Sequence, residues 1–371
     1  MEKNDPCNRH LFRRYPGLIG KLPWMPLADL PSPVQKLEKL GEHLGVTDLW
    51  MKRDDLNSTL YAGNKPRKFE FIFAEALARG SDEIVTMGSA GSNHGAATCL
   101  FCCRLGLQPV LAVSPQPVLS YVRQNILVDC HCQAKFLNAG NEVSASLKIM
   151  AYFLKARLAG RKKPYFMYFG GSSRAGNVGF VEAGLELAAQ IARGEVPLPR
   201  YLFVTTGSCG THAGLLVGLR LAELPIEVIG VRIVPKVVTN RPVVAAHANR
   251  LAEYLRGLEP SIPAMRFNAR DIHLLDDFYG GQYGRPTPEG KAAIRLLAET
   301  EGLPLDPTYT GKSFAGMLAF LKRQNITREP VLYWQTLNGV PLQDRQAAVP
   351  PADLAPPLRR YFEAPLYDPE L

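Results

Sequence analysis

The chain has 371 residues, 46 % of them hydrophobic and 21 % charged, with 43 Lys and Arg against 34 Asp and Glu for a net charge of +9. At roughly 150 residues per domain this length predicts about two domains with substantial cores. The composition excludes a collagen-like fibre and an intrinsically disordered chain, and the length excludes a disulfide knot.

From about residue 45 onward, short β-branched runs alternate with segments of helical period, the pattern of a parallel sheet covered by helices. Phe69, Ile72, Phe73, Ala76 and Leu77 mark one buried helical face, closed by Arg79-Gly80. Strands follow at Ile84 to Met87, Val110 to Val113, Lys135 to Leu137 and Tyr165 to Tyr168, separated by helices near Ala96 to Leu105, Ser120 to Val128 and Ala145 to Leu158. The loop Gly170 to Asn177 shifts composition and suggests a boundary near residue 173. After it come a helix at Phe180 to Ile191 and strands at Tyr201 to Thr205, Val228 to Val231 and Val331 to Trp334. Beyond about Arg345 the chain is rich in Pro and Ala and reads as an extended tail.

Four loops stand where strands end or helices begin, the places at which open α/β sheets bind ligands. In Tyr61 to Lys68, a lysine in a Gly-bearing turn can be desolvated enough to free its amine for covalent chemistry, although alone the segment reads as a basic turn. Gly88 to Gly95 offers small residues, helix N–H groups and the donors Ser92, Asn93 and His94. Thr205 to Gly214 is an anion cradle whose glycines expose consecutive amides beside Ser208 and Thr211; it matches neither a Walker loop nor Gly-x-Gly-x-x-Gly. That points to a phosphate carried by a cofactor other than a nucleotide. Asp306 to Ser313 offers Tyr309 for proton transfer or positioning and Thr310 as a neutral hydrogen-bond partner.

The remaining polar clusters carry less. Basic residues are dispersed, and the single short run, Arg161-Lys162-Lys163, reads as a solvated turn, so no nucleic-acid partner is expected. No apolar stretch approaches the roughly 18 residues of a membrane span, and the charged start from Met1 to Asp5 lacks an export signal's apolar segment. The expectation is a cytoplasmic protein with no membrane partner. Seven cysteines (Cys7, Cys99, Cys102, Cys103, Cys130, Cys132 and Cys209) are an odd number and read as reduced thiols, Cys99 and Cys103 as small hydrophobes on one face of an apolar helix, with no metal expected. His212 lacks the serine elbow that would make it a catalytic base.

In order and spacing these segments resemble the pyridoxal-phosphate enzymes of the tryptophan synthase β type, in the branch of 1-aminocyclopropane-1-carboxylate deaminase and D-cysteine desulfhydrase. The resemblance runs from about Leu30 to Pro341. Its carriers are Ser32-Pro33-Val34, Lys52 to Asp55, Gly63 to Lys68, Ser92-Asn93-His94, Gly207 to Gly214, Gln282-Tyr283-Gly284, Asp306 to Lys312 and Gly339-Val340-Pro341.

The resemblance implies an α/β fold of two domains, each an open, mostly parallel twisted sheet covered by helices, with pyridoxal 5′-phosphate in the cleft between them. The larger domain would comprise residues 1–65 and 174–345, the smaller one residues 66–173, and the Pro-rich tail residues 346–371. Lys65 would carry the cofactor covalently and act as base, with Lys68 supporting it. Gly207, Ser208, Cys209, Gly210 and Thr211 would hold the phosphate, Asn93 the ring oxygen and Thr310 the pyridine nitrogen. Ser92, Asn93 and His94 would receive the substrate carboxylate, with Ser92, Tyr283 and Tyr309 at the reacting substrate. The deaminase branch has a glutamate where this chain has Thr310, and an uncharged partner favours elimination from the β-carbon over ring opening. The implied activity is a lyase that takes a small amino acid with a β-leaving group to a 2-oxo acid and ammonia, as a homodimer. Ring-opening deamination, β-replacement of the cysteine synthase kind, and a non-catalytic cofactor-binding module are the alternatives. Gly91 and Gly95-Ala96-Ala97 depart from the larger polar residues usual in the branch, which implies a more open or neutral carboxylate pocket.

Overall fold

In a computed structural model, residues 5–160, 164–348 and 350–368 are described; the Arg161-Lys162-Lys163 run lies outside them. In chain order the elements begin with α1 (His10–Arg14), β1 (Val34–Lys36), α2 (Glu38–Leu44), β2 (Leu49–Arg53) and α3 (Asn64–Ala78). A second stretch carries β3 (Glu83–Ser89), α4 (Asn93–Leu105), β4 (Gln108–Ser114), α5 (Ser120–His131), β5 (Lys135–Asn138), α6 (Glu142–Leu158) and β6 (Tyr165–Met167). A third carries α7 (Arg174–Ala192), β7 (Tyr201–Thr206), α8 (Gly210–Leu221), β8 (Glu227–Arg232), α9 (Arg241–Leu258), β9 (His273–Leu275), α10 (Pro288–Glu301), α11 (Thr310–Gln324) and β10 (Val331–Gln335), and α12 (Pro356–Glu363) closes the chain. None of the described helices is long and apolar enough to cross a membrane.

Two compact units result, residues 1–72 with 172–339 and residues 73–171 with 340–371. The first contains a six-stranded sheet in the order β1-β2-β10-β7-β8-β9, parallel except for β1 against β2. Strand alternation divides its core between two faces. Phe203, Ile229, Val331 and Tyr333 pack with Leu297, Phe314 and Met317 of α10 and α11. Leu202, Val204, Leu332 and Trp334 turn the other way, onto Phe180, Leu187, Leu215 and Leu219 of α7 and α8.

Charge is buried in this unit, and it is matched. The Arg67 guanidinium donates to both Asp54 oxygens (2.9 and 2.7 Å), to both Glu186 oxygens (2.9 and 3.0 Å) and to Ser32 Oγ (2.9 Å). Lys52 bonds Glu186 and the Ser32 carbonyl, and Trp334 Nε1 donates to Asp54 Oδ2 at 2.7 Å. Burial works against these charges, but Asp54 and Glu186 outweigh it and hold Arg67 above its ordinary pKa, while Arg67 and Lys52 hold Glu186 well below the carboxylate range. The sequence segments Ser32-Pro33-Val34 and Lys52 to Asp55 therefore serve the frame around α3.

The second unit holds a parallel sheet in the order β5-β4-β3-β6. Val85, Val110 and Ala112 form one face under Ala145 and Ile149 of α6. The segment expected as an extended tail instead forms α12, because Pro356 and Pro357 occupy the first helical turn, where a missing N–H costs no hydrogen bond. Leu358 and Tyr361 of that helix are buried, and Arg123 Nε of α5 donates to the Tyr361 carbonyl at 2.8 Å. Leu77, expected on the buried face of its helix, is 40 % exposed.

Candidate active site

Lys65, expected in a loop, stands in the first turn of α3, with Pro66 beside it where proline is tolerated. Gly63, just before the helix, is left-handed (φ 91°), and a Cβ there would lie 2.5 Å from the Thr336 carbonyl oxygen, so only glycine admits the chain at this approach. The Lys65 amine donates to Asn64 Oδ1 at 2.8 Å. Burial lowers its pKa to about 8, with Asp306 the charge that opposes the shift. An amine so placed is a nucleophile and a base near neutral pH.

One helical turn on, Lys68 is buried and donates to Ser172 Oγ at 3.1 Å. Ser172 Oγ lies 2.7 Å from Ser208 Oγ, in the turn that opens α8. Burial, then the neighbouring Lys65, drive the Lys68 pKa well below its ordinary value. Thus α3 and the glycine-rich turn are joined by an unbroken chain of contacts within the first unit.

That turn is shaped by backbone geometry. Cys209 caps α8 in a left-handed conformation (φ 64°), its buried thiol 3.3 Å from Thr239 Oγ1, and Thr239 in turn donates to the Gly207 carbonyl. These contacts fix the turn at the start of α8, where the Gly210 N–H donates to the Ser208 carbonyl at 2.8 Å and Thr211 is buried in the first turn. At Gly210 a Cβ would lie 2.1 Å from Asn177 Oδ1, 2.4 Å from Ser172 Oγ and 2.9 Å from Lys68 Nζ. Asn177 Oδ1 is buried with no hydrogen-bond partner among the described residues. Only glycine therefore lets Lys68, Ser172 and the Asn177 amide pack against the start of α8. His212 just beyond is buried, its pKa lowered to about 4 by that burial, and it faces Thr206 Oγ1 at 3.3 Å, a neutral core histidine.

Tyr283 and Tyr309 are brought together: their hydroxyls share a hydrogen bond and their rings meet edge to face, centroids 6.1 Å apart. Thr310 opens α11 with its hydroxyl donating to Asp306 Oδ2 (2.7 Å) and accepting from the Asp306 N–H (2.8 Å). Asp306 also accepts from the backbone N–H groups of Thr308, Tyr309 and Thr310 at 2.7–3.1 Å. It is the electrostatic partner of both Lys65 and Lys312, whose own pKa burial lowers to about 8. No role for Asp306 follows from the loop motifs. The available signal was an Asp four residues ahead of a Thr at a helix start, a capping arrangement that puts carboxylate charge directly behind the hydroxyl.

Ser92, Asn93 and His94 begin α4 in the second unit. Ser92 Oγ caps the helix by accepting from Gly95 N–H at 3.1 Å. Asn93 Oδ1 accepts from Asn125 Nδ2 (2.9 Å), and His94 Nε2 meets Thr86 Oγ1 at 2.9 Å. Gly91 is glycine for a backbone reason: φ is 67° and a Cβ would lie 2.4 Å from the Val122 carbonyl oxygen. Beneath this loop a cavity of about 10 Å³ is lined by Ser89, Ser92, His94, Gly95 and Asp129. Asp129 is buried, neither oxygen has a hydrogen-bond partner among the described residues, and burial pushes its pKa up to about 8, opposed by the neighbouring Cys99 thiol. Among the described residues no group of three or more His, Cys, Asp or Glu could hold a metal ion.

Comparison with known proteins places this geometry. The family model for pyridoxal-phosphate dependent enzymes matches residues 26–336. D-cysteine desulfhydrase of Salmonella choleraesuis (strain SC-B67) is 34 % identical over 330 residues, 87 % of this chain and 96 % of that protein. A crystal structure described as an ACC deaminase homologue superposes with a TM-score of 0.74 at 29 % identity, covering 89 % of this chain and 94 % of that one. The processed form of threonine deaminase isoform 2 from Solanum lycopersicum shares the fold, with a TM-score of 0.58 at 15 % identity over 89 % of this chain and 88 % of its own.

Proposed function

The chain belongs to the pyridoxal-phosphate dependent enzyme family and is a lyase that uses this cofactor, and we propose that it eliminates a β-substituent from a small amino acid, D-cysteine first among them, giving a 2-oxo acid and ammonia. We further propose that it does so as a homodimer in the cytoplasm. What carries the reading is the run of contacts from α3 through Lys68, Ser172 and Ser208 to the Gly207–Thr211 turn, which supports a lysine and a phosphate cradle serving one ligand.

The residues fit the cofactor. An anionic phosphate suits the turn that opens α8, where the absence of a side chain at Gly210 lets Lys68 Nζ and Ser172 Oγ come close to the backbone. When bound, the cofactor supplies an aldehyde for an amine to capture and a conjugated ring that delocalises charge from the α-carbon. Lys65, its pKa lowered, would hold the cofactor and, once displaced by substrate, take the α-proton. Tyr283 and Tyr309, whose hydroxyls are hydrogen-bonded to each other, would move a proton at the substrate or the leaving group. Thr310 would meet the ring nitrogen with Asp306 behind it, so the site places negative charge one hydrogen bond removed instead of in direct contact. Ser92, Asn93 and His94 would receive the carboxylate and the ring oxygen.

The test is a screen of D- and L-amino acids bearing β-leaving groups for ammonia and 2-oxo acid. D-cysteine turnover without added thiol supports the reading. Turnover that requires a second nucleophile, or only opening of a cyclopropane substrate, overturns it.

A further inference from the structure

The chain beyond residue 340 belongs to the second unit and is tied to it near both ends of α5. The Ala347 N–H donates to the Leu127 carbonyl at 3.1 Å, and the Tyr367 N–H donates to the Val118 carbonyl at 2.8 Å. Between these ties lies α12 with Leu358 and Tyr361 buried. Arg123 of α5 donates to the Tyr361 and Ala364 carbonyls (2.8 and 2.6 Å), at the C-terminal end of α12, where the helix dipole favours a cation. Val122 and Asn125, three residues apart on α5, meet the Gly88–Gly95 loop instead: Asn125 Nδ2 donates to the Gly91 carbonyl at 3.0 Å, and Val122 backs Gly91. A second hold comes from the connection between β4 and α5. Gln116 Nε2 donates to the Ala90 carbonyl at 2.6 Å, while the Gln116 backbone N–H donates to the Tyr361 hydroxyl at 3.3 Å. Gln116 thus joins the loop to α12. The family model ends at residue 336, so α12 lies outside it.

We propose that residues 350–367 act as a strap that orders the substrate pocket from outside, with Gln116 and Tyr361 as positioning residues for the Ser92-Asn93-His94 loop. The proposal rests on the reading, given above, of that loop as the receiver of the substrate carboxylate. A loop that receives an anion has to present N–H groups to it and keep carbonyl oxygens turned away. In a trans peptide the C=O and the following N–H point in opposite directions, so binding the Ala90 and Gly91 carbonyls to Gln116 and Asn125 also fixes the N–H groups of Gly91 and Ser92. The loop has little means of ordering itself. Glycines at 88, 91 and 95 give its backbone wide freedom, so one conformation has to be selected by neighbours. The strap supplies that selection through side chains that are themselves anchored: Tyr361 is 2 % exposed and Asn125 2 %. Without it, substrate binding has to order the loop as well, which weakens binding and leaves the bound geometry, and the chemical step, unaltered.

Hydrogen exchange of the full-length holoenzyme, read by mass spectrometry, tests this together with steady-state kinetics on the amino acid it turns over fastest. In Tyr361→Phe, which keeps the buried ring, and in Gln116→Ala, amides of residues 89–95 should exchange about 3- to 10-fold faster, the effect of one lost hydrogen bond. Exchange in the Gly207–Thr211 turn should not change. KM should rise by a similar factor while kcat and the cofactor's absorbance stay as in the wild type. Arg123→Met, which frees the end of α12, should act in the same direction. The double variant should be no worse than Gln116→Ala alone, because Tyr361 reaches the loop through Gln116; independent structural contributions would add. Unchanged exchange at residues 89–95 overturns the proposal. So does faster exchange with an unchanged KM, or additive losses that fall on kcat and cofactor absorbance. Exchange is measured without turnover, so a chain that forms no 2-oxo acid would overturn the catalytic reading while exchange still decides on the strap.

Discussion

Arg67 and Lys65 lie two residues apart on one helix, yet their surroundings treat charge in opposite ways. Arg67 is enclosed by two carboxylates and a hydroxyl that use its guanidinium donors and hold it charged. Lys65 donates to a neutral amide and is pushed toward its uncharged form. Lys68, on the same face one turn later, follows Lys65. A buried charge that serves the frame is compensated within the chain, because an unmatched one costs several kcal/mol. In the proposed function, the two amines with lowered pKa values are the ones that would meet the cofactor. The contrast supports the proposed site better than burial does, since Arg67 and Lys68 are equally hidden from water.

The largest effect should come from the compensated member. Arg67→Met leaves Asp54 and Glu186 buried without their partner and is expected to cost about 3–5 kcal/mol of stability by denaturant unfolding. Lys65→Met should cost none, and a comparable loss there would erase the distinction. Next, Lys68→Met should weaken cofactor binding about 10- to 100-fold, the worth of a charge-assisted hydrogen bond or two, while the unfolding midpoint of the cofactor-free protein does not fall. Gly210→Ala then probes the cradle itself. Its methyl group overlaps Asn177 Oδ1 and Ser172 Oγ, so cofactor affinity should drop by about 1–2 kcal/mol as read by titration of absorbance, with inorganic phosphate losing its competition at the site.

The smallest effect lies in the second unit, where Asp129 is a buried carboxyl that the chain does not match with a cation. With its folded pKa near 8 and its unfolded one near 3.8, the native state holds the extra proton between those values, so stability falls as pH rises through that window and levels off above it. Asp129→Asn should flatten the dependence and raise stability at pH 8 by about 1 kcal/mol, since the amide still needs partners. An unchanged slope would place the titration elsewhere.

Much of this was legible before any coordinates. The strands between Ile84 and Trp334 stand out as short apolar runs because helices cover the parallel sheets, and Lys65, the Gly207–Thr211 turn, Tyr283 and Tyr309 lie beside punctuating glycines or helix starts. Three features were hidden for identifiable reasons. The first turn of α3 reads as a loop because Asn64-Lys65-Pro66 carries no apolar period. The helix α12 is masked by its prolines, which are compatible with a first turn. Asp306 acts through Thr310, and a residue that works through its neighbour leaves no motif of its own.

The central claim is that the amine at position 65, and no other, carries the cofactor. Borohydride reduction of the coloured holoenzyme followed by peptide mapping addresses it directly: the cofactor's mass should appear on Lys65, and the Lys65→Ala variant should lose both the visible absorbance band and, by about 10²–10⁴-fold, the elimination rate. Label on Lys68 or Lys312, or an unaltered spectrum in the variant, would contradict it.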